Sequence, residues 1–189
     1  MKVKTSITSY MGGVTLIELM VSLSVLAILA TIAIPSYTGF MDRYRLEGAI
    51  QGLYADLQFA RSESVKCNRR VRVTFTTGST WSYTISRIGS CTNSSDSTTV
   101  TDLKTVGVAS FPATQIASTT LTSNTLFFEP RFGNVEHGGS TSGTTLSGEA
   151  QVNFQSGQGK QARVLVNLIG RVRYCSPSGS NNLIGIPTC

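Results

Sequence analysis

An apolar segment that could cross a membrane lies near the amino terminus of this chain. Residues 14–34 are 21 in number, and Glu18 is the single charged residue among them. About 20 mostly apolar residues are needed for a helix to span the hydrocarbon core of a bilayer. Two lysines precede the segment, and cationic flanks favour the cytoplasmic side. The sequence therefore predicts one membrane-spanning helix over residues 14–35, with the rest of the chain exported.

The residues at the start of this segment form a specific motif. Gly12 and Gly13 stand before the apolar core, whereas a secretory signal is cleaved after its core. A carboxylate such as Glu18 is costly inside a bilayer and is usually retained for a function. The run GVTLIEL from Gly13 to Leu19 resembles the class III leader and N-terminal helix of type IV pilins and pseudopilins.

That resemblance implies how the N-terminus is processed. Residues 1–13 would be a leader that prepilin peptidase removes after Gly13, and Val14 would become the methylated first residue. Glu18, then the fifth residue, would pair with the amino terminus of a neighbouring pilin during assembly. The protein would lie in the inner membrane as a single-pass protein with a periplasmic head, and in a type IV pilus after assembly. The alternative is an ordinary signal anchor with a stray glutamate.

A second helical pattern follows the apolar segment. Over residues 36–66 the apolar side chains recur mostly three or four apart, which is typical of an amphipathic helix. Pro35 is compatible with a helix only as a kink or a local break. The sequence predicts a stalk helix that buries one stripe against the head, formed by Tyr37, Phe40, Tyr44, Ile50, Leu53, Leu57 and Ala60.

After Cys67 the apolar period changes from that of a helix to that of a strand. Alternation predicts strands at residues 71–75 and 81–88, and later strands at 125–128, 150–154 and 162–169. The Ser/Thr-rich region 92–125 supports no clear assignment, and the glycine-rich region 132–148 is predicted to be a loop. The expected fold is α+β, with an antiparallel sheet over residues 67–189 packed on the stalk helix.

Sequence features of the predicted head indicate one family among the pilins and pseudopilins. An early hairpin with the single tryptophan, Trp81, is followed by FEPRFG at residues 128–133 and by NLIGRVR at residues 167–173. Together with the N-terminus, these segments resemble the GspH/FimT family of minor pilins and pseudopilins. The resemblance implies a pilin that assembles with other pilin subunits through its N-terminal helix, and no enzymatic activity is expected.

The cysteines and the histidine bear on cofactors and compartment. The four cysteines show no C-x-x-C spacing of the kind found in structural zinc sites. We therefore expect disulfides, no metal and no cofactor. Of three possible connectivities, the local one is predicted, with Cys67 joined to Cys91 and Cys175 to Cys189. The only histidine, His137, is interpreted as a solvated loop residue and not as a catalytic base.

Positive charge is concentrated late in the chain. The protein carries sixteen Lys and Arg against ten Asp and Glu, and no acid follows Glu149. For an exported protein such charge favours DNA, lipid headgroups or acidic surface polymers as partners. The pattern and the resemblance described next select the phosphates of DNA, with Lys160, Arg163, Gly170, Arg171 and Arg173 as the predicted contacts.

Two features of this region guide the prediction. Arginines two residues apart on a strand share a face, and the Gly-Arg-x-Arg sequence resembles the motif through which competence-associated FimT pilins bind DNA. The alternative is that Arg171 and Arg173 only solvate a strand end. The pattern GQGKQA at residues 157–162 is interpreted as a hairpin turn, because a strand and not a helix is expected to follow it.

A second basic group precedes the first strand. Arg69, Arg70 and Arg72 are interpreted mainly as the solvated face of that strand, although they could extend a DNA track. The preferred function is a minor pilin that binds DNA non-specifically during uptake in natural transformation. The alternative is a purely structural pilin or pseudopilin of a type IV pilus or type II secretion system.

Overall fold

The structure is a computed structural model that describes residues 13–93, 95–131, 134–139, 142–179 and 181–189. The chain divides into two compact units, Met1–Thr38 and Gly39–Cys189. Apart from Gly13, the predicted leader lies outside the described residues. The fold is α+β, with one long N-terminal helix followed by antiparallel sheets.

Helix α1 comprises Leu16–Cys67. Oγ1 of Thr15 accepts a hydrogen bond from the backbone N–H of Glu18 at 3.3 Å, so Thr15 caps the helix. Glu18 lies in the first turn, where the helix dipole favours a negative charge. The helix continues through Pro35, so the break that the sequence allows there is absent.

Within the first unit, α1 is apolar and exposed. Every side chain from residue 13 to residue 34 is exposed, and α1 is the one helix among the described residues that is long and apolar enough to cross a membrane. An apolar helix surface without protein cover fits the membrane anchor of a pilin.

Within the second unit, α1 buries a stripe that differs in part from the predicted one. Phe40 and Tyr44 stack on one another but are 64% and 65% exposed. Tyr44 and Ile50 are six residues apart, a rotation of about 240° around the helix. The aromatic residues therefore lie on another face than the buried stripe, which consists of Leu46, Ala49, Ile50, Leu53, Leu57 and Ala60.

The described residues of the head contain ten strands, which form two antiparallel sheets. The first sheet has the order β3-β2-β1-β5-β6-β7 and the second has the order β10-β9-β8-β4. The inner faces of both sheets and the buried stripe of α1 form one hydrophobic cluster. The strands are β1 Val71–Thr76, β2 Ser82–Ile88, β3 Val100–Gly107, β4 Thr114–Thr119, β5 Thr125–Phe128, β6 Val135–His137, β7 Thr144–Thr145, β8 Ala150–Ser156, β9 Gln161–Val166 and β10 Val172–Cys175.

The strands differ from the sequence prediction where the alternation is weak. Strands β1, β2, β5 and β8 lie where predicted. The predicted loop 132–148 is wrong in part, because β6 and β7 add short pairs to the edge of the first sheet beside β5. Strands β3 and β4 occupy the unassigned Ser/Thr-rich region, and β3 is mostly exposed. Its strand conformation comes from pairing with β2 and not from a buried face.

Disulfides and a buried hydrogen-bond network connect these elements. Cys67 is bonded to Cys91, and Cys175 is bonded to Cys189, which is the local connectivity. The first bond ties the end of α1 to the loop after β2, and the second closes the tail that follows β10.

The side chain of Asp56 on α1 supplies the carboxylate of a buried hydrogen-bond network. Asp56 is 6% exposed and accepts hydrogen bonds from the Tyr83 hydroxyl at 2.7 Å and from Lys104 Nζ at 2.6 Å. Burial, reinforced by the hydrogen bond to Asp56, raises the pKa of Tyr83. This network joins the stalk helix to β2 and β3.

Candidate nucleic-acid interface

A tight turn between β9 and β10 positions the predicted basic motif. The Gly170 N–H donates to the carbonyl of Asn167 at 2.9 Å, and the Asn167 N–H donates to the carbonyl of Arg171 at 3.1 Å. Gly170 has a φ of +74°, which glycine adopts without the steric penalty of a Cβ. Strand β9 therefore ends at Val166, and its predicted continuation to Ile169 is wrong because the chain turns here.

Distant parts of the head hold this turn in place. Nη1 of Arg61, on α1, donates to the carbonyl of Gly170 at 3.2 Å. The Val135 N–H donates to the carbonyl of Leu168 at 2.9 Å. Gly170 is itself buried, and both of its backbone groups are hydrogen-bonded. Gly170 therefore shapes the turn.

Three arginines leave one face of the second sheet. Arg171 and Arg173 are both exposed, and the residue between them is buried. In the pairing of β9 with β10, Arg173 lies opposite Leu165 and Cys175 lies opposite Arg163. Paired residues in an antiparallel sheet share a face, and side chains alternate along each strand. Arg163, on β9, therefore lies on the same outer face as Arg173, on β10. It is two residues along β9 from Leu165, the residue opposite Arg173.

Glu149 forms an ion pair with Arg173. Nη2 of Arg173 donates to both carboxylate oxygens of Glu149, at 2.7 and 3.0 Å. The side chains of Arg173 and Glu149 are 55% and 38% exposed. They line a concavity of about 280 Å³ together with Asn167 and Arg171. No acid follows Glu149 in the sequence, yet Arg173 has an acidic partner, because β8 pairs with β9 and brings Glu149 back beside β10.

Lys160 lies at the other end of β9. Its backbone N–H donates to Oγ of Ser156 at 3.1 Å in the turn between β8 and β9, where Gly159 has a φ of +82°. A strand follows this turn, as expected for a hairpin and not for a dinucleotide-binding loop. Six residues of β9 separate Lys160 from the other turn, about 20 Å at the rise of a strand.

Arg69 and Arg70, at the start of β1, have partners within the protein. Arg70 forms an ion pair with Glu129 and a longer one, at 3.5 Å, with Glu136. The side chain of Arg70 is only 31% exposed. Arg69 donates from Nε to the carbonyl of Ser90 at 3.1 Å. The solvated interpretation is wrong for Arg70, because β5 and β6 bring the two carboxylates alongside β1.

The other candidate groups have structural partners. Nδ1 of His137 accepts a hydrogen bond from the backbone N–H of Thr122 at 3.3 Å. Glu63, Cys67 and Cys91 form the one close group of three potential metal ligands in the described part of the chain. The two sulfurs are joined in the disulfide, whereas a cysteine binds metal as a thiolate.

At the N-terminus, the structure places the predicted processing residues at the start of α1. Gly13 and Val14 are exposed and precede the helix. Glu18 follows in the first helical turn, at the exposed apolar surface of the first unit.

Sequence reasoning missed three contributors to the surface around Arg171. Arg61 binds a carbonyl 109 residues away, and no sequence pattern signals such a contact. In the sequence, Glu149 is distinguished only as the last acid of the chain. The sequence predicts a strand at Leu168 and Ile169, but these residues form the exposed apex of the hairpin, at 39% and 60% exposure. The Asn-x-x-Gly spacing that ends at Gly170 was an available turn signal.

Comparison with protein-family models gives two matches. Residues 49–170 match the model described as Type II transport protein GspH. Residues 9–34 match the prokaryotic N-terminal methylation motif. No curated protein and no solved structure matches the chain. Pilin-like proteins of this kind are structural, assemble with other pilin subunits and are processed by prepilin peptidase. Because the first match covers more than half of the chain, this protein belongs to the GspH family of pilins and pseudopilins.

Proposed function

We propose that this GspH-family protein is a minor pilin of the FimT type that binds DNA during uptake in natural transformation. The observation that carries the proposal is the fixed β9–β10 turn, which presents Arg171 and Arg173 on one exposed face with Arg163 behind them. Each guanidinium can donate two hydrogen bonds to phosphate oxygens. Contacts with phosphates position a duplex without reading its sequence.

The strength of binding would come from the release of counterions. Arginines that replace cations on the phosphates give affinity that falls as salt rises. Arg171 and Arg173 form the centre of the proposed site, and Arg163 and Lys160 extend it along β9. Gly170 contributes by shaping the turn. The protein is proposed to act without catalysis, and pilus retraction would move the bound DNA.

The N-terminus would connect this site to the filament. Prepilin peptidase would cleave after Gly13 and methylate Val14. The apolar part of α1 would hold the protein in the inner membrane with its head in the periplasm, and would then pack among other pilins. Glu18 would pair with the amino terminus of a neighbour.

The test is the salt dependence of DNA binding. The full chain in a non-ionic detergent is titrated with duplex DNA at several salt concentrations, before and after Arg171→Ala with Arg173→Ala. Each lost phosphate contact flattens the slope of log affinity against log salt by about 0.9, so the double variant should lose about 1.8. The matched control is Lys66→Ala with Arg131→Ala, which removes two exposed cations from the end of α1 and the loop after β5. Equal slopes for the wild type and the Arg171/Arg173 variant would refute the DNA site.

The ion pair between Arg173 and Glu149 favours a second candidate function. An arginine that already has a carboxylate partner could serve only to fix the end of β10. The protein would then be a structural pilin or pseudopilin of a type IV pilus or of type II secretion, as the description of the matched family suggests. Deletion of the gene separates the two functions. Loss of pili or secretion, with DNA binding by the purified chain absent, would favour the structural function.

A further inference from the structure

The apex of the β9–β10 hairpin is apolar and exposed. Leu168 and Ile169 are 39% and 60% exposed. Among the described residues of the second unit, they are the only large exposed apolar side chains that are adjacent in sequence. Single exposed apolar residues are common on protein surfaces and require no explanation. A consecutive pair at the tip of a hairpin, in contrast, forms a small apolar surface at a defined position on the head.

The backbone under these side chains is fixed. The carbonyl of Leu168 accepts from Val135, and Gly170 is bonded both to Asn167 and to Arg61. The apex therefore keeps one backbone conformation on the surface of the head. Because the backbone of the turn is already held and both side chains are exposed, contact with a partner would require little ordering of the main chain.

Cations surround the apolar tip. Arg171 follows the turn directly, Arg173 comes next on the same face, and the guanidinium of Arg61 donates to the Gly170 carbonyl within the turn. An apolar tip flanked by arginines complements DNA, in which anionic phosphates border stacked apolar bases. Proteins that contact DNA in this way insert Leu, Ile or Phe at a base step while cations hold the phosphates.

We infer that Leu168 and Ile169 are a second contact element for DNA, which rests on the proposed function and deepens it. The arginines hold the phosphates, and the apex contacts base faces that are exposed or easily exposed. Such a contact favours DNA whose stacking is already interrupted, because less unstacking energy is required there. The substrate class is therefore DNA with unpaired or bulged bases in preference to intact duplex.

The test compares two DNA substrates. The full chain in non-ionic detergent is titrated with an intact duplex and with the same duplex carrying a single-base bulge, using fluorescence anisotropy. The wild type should bind the bulged duplex at least about threefold more tightly. Ile169→Ser, alone and combined with Leu168→Ser, should weaken binding to the bulged duplex by about five- to tenfold. The two duplexes should then bind with equal affinity. The salt slope should not change, because apolar contacts release no counterions.

The matched control is Ile184→Ser, since Ile184 is 75% exposed in the tail after β10. It should alter neither affinity nor ratio. The single Ile169 variant decides the outcome if the double variant does not fold.

The outcomes separate the two proposals. If the arginine variants flatten the salt slope and Ile169→Ser leaves affinity and ratio unchanged, the apex inference is wrong and the DNA site stands. If neither set of variants affects binding, both proposals fail. If Ile169→Ser lowers incorporation into pili with unaltered DNA binding, the apex is a contact between pilins and the inference is likewise overturned.

Discussion

Replacing Glu149 by glutamine should make DNA binding tighter. In the structure its carboxylate accepts two hydrogen bonds from Arg173, so a phosphate must displace it to reach that guanidinium. An exposed ion pair of this kind contributes about 0.5–1 kcal/mol, and 1.4 kcal/mol corresponds to a factor of ten. Glu149→Gln should therefore increase affinity about two- to fivefold.

The assay is the same anisotropy titration of the full chain, repeated at several salt concentrations. The control is Glu47→Gln, which removes one negative charge from α1, where Glu47 accepts a hydrogen bond from Gln51 at 3.1 Å. The control should change affinity much less, because its charge is not paired with an arginine of the site. Unchanged or weaker binding by Glu149→Gln would refute the reasoning that this carboxylate competes with phosphate.

Three further predictions concern processing, assembly and stability. Gly13→Ala should block removal of the leader before Val14, and mass spectrometry of the membrane-bound protein would show the intact chain; a mature chain that still starts at Val14 would contradict this. Glu18→Ala should insert into the membrane normally, since a carboxylate in the bilayer is costly, yet be missing from sheared pili on immunoblots; normal incorporation would count against a pairing role. Tyr83→Phe should lower the free energy of unfolding by about 1–3 kcal/mol, because the buried Asp56 carboxylate loses a donor; an unaltered urea midpoint would exclude that contribution.

The parts of the fold that could be predicted depend on short-range patterns. In β1, Val71, Val73 and Phe75 alternate with polar residues and are all buried. The N-terminal motif is similarly local, since Gly13 and Glu18 lie close together in the sequence. Each of these signals lies within a few residues, so the sequence alone contains it.

The parts that could not be predicted depend on pairing across the fold. Strand β3 has little apolar alternation, and its conformation comes from its ladder with β2. The pairing of Glu149 with Arg173 joins residues 24 apart through the neighbouring strands β8, β9 and β10. In the stalk helix, one change of face between Tyr44 and Leu46 was enough to misplace the aromatic half of the stripe. Charge and periodicity along the chain do not specify such contacts.

Strand β10 forms one edge of the second sheet. An edge strand offers unpaired backbone groups to which a strand of another chain can add. Here the strand is only four residues long, and charged Arg173 lies along it. The bond between Cys175 and Cys189 turns the chain back at its end, and Ser176 bridges to Thr188 within the tail. A short, charged and partly covered edge of this kind is a poor template for strand addition between heads.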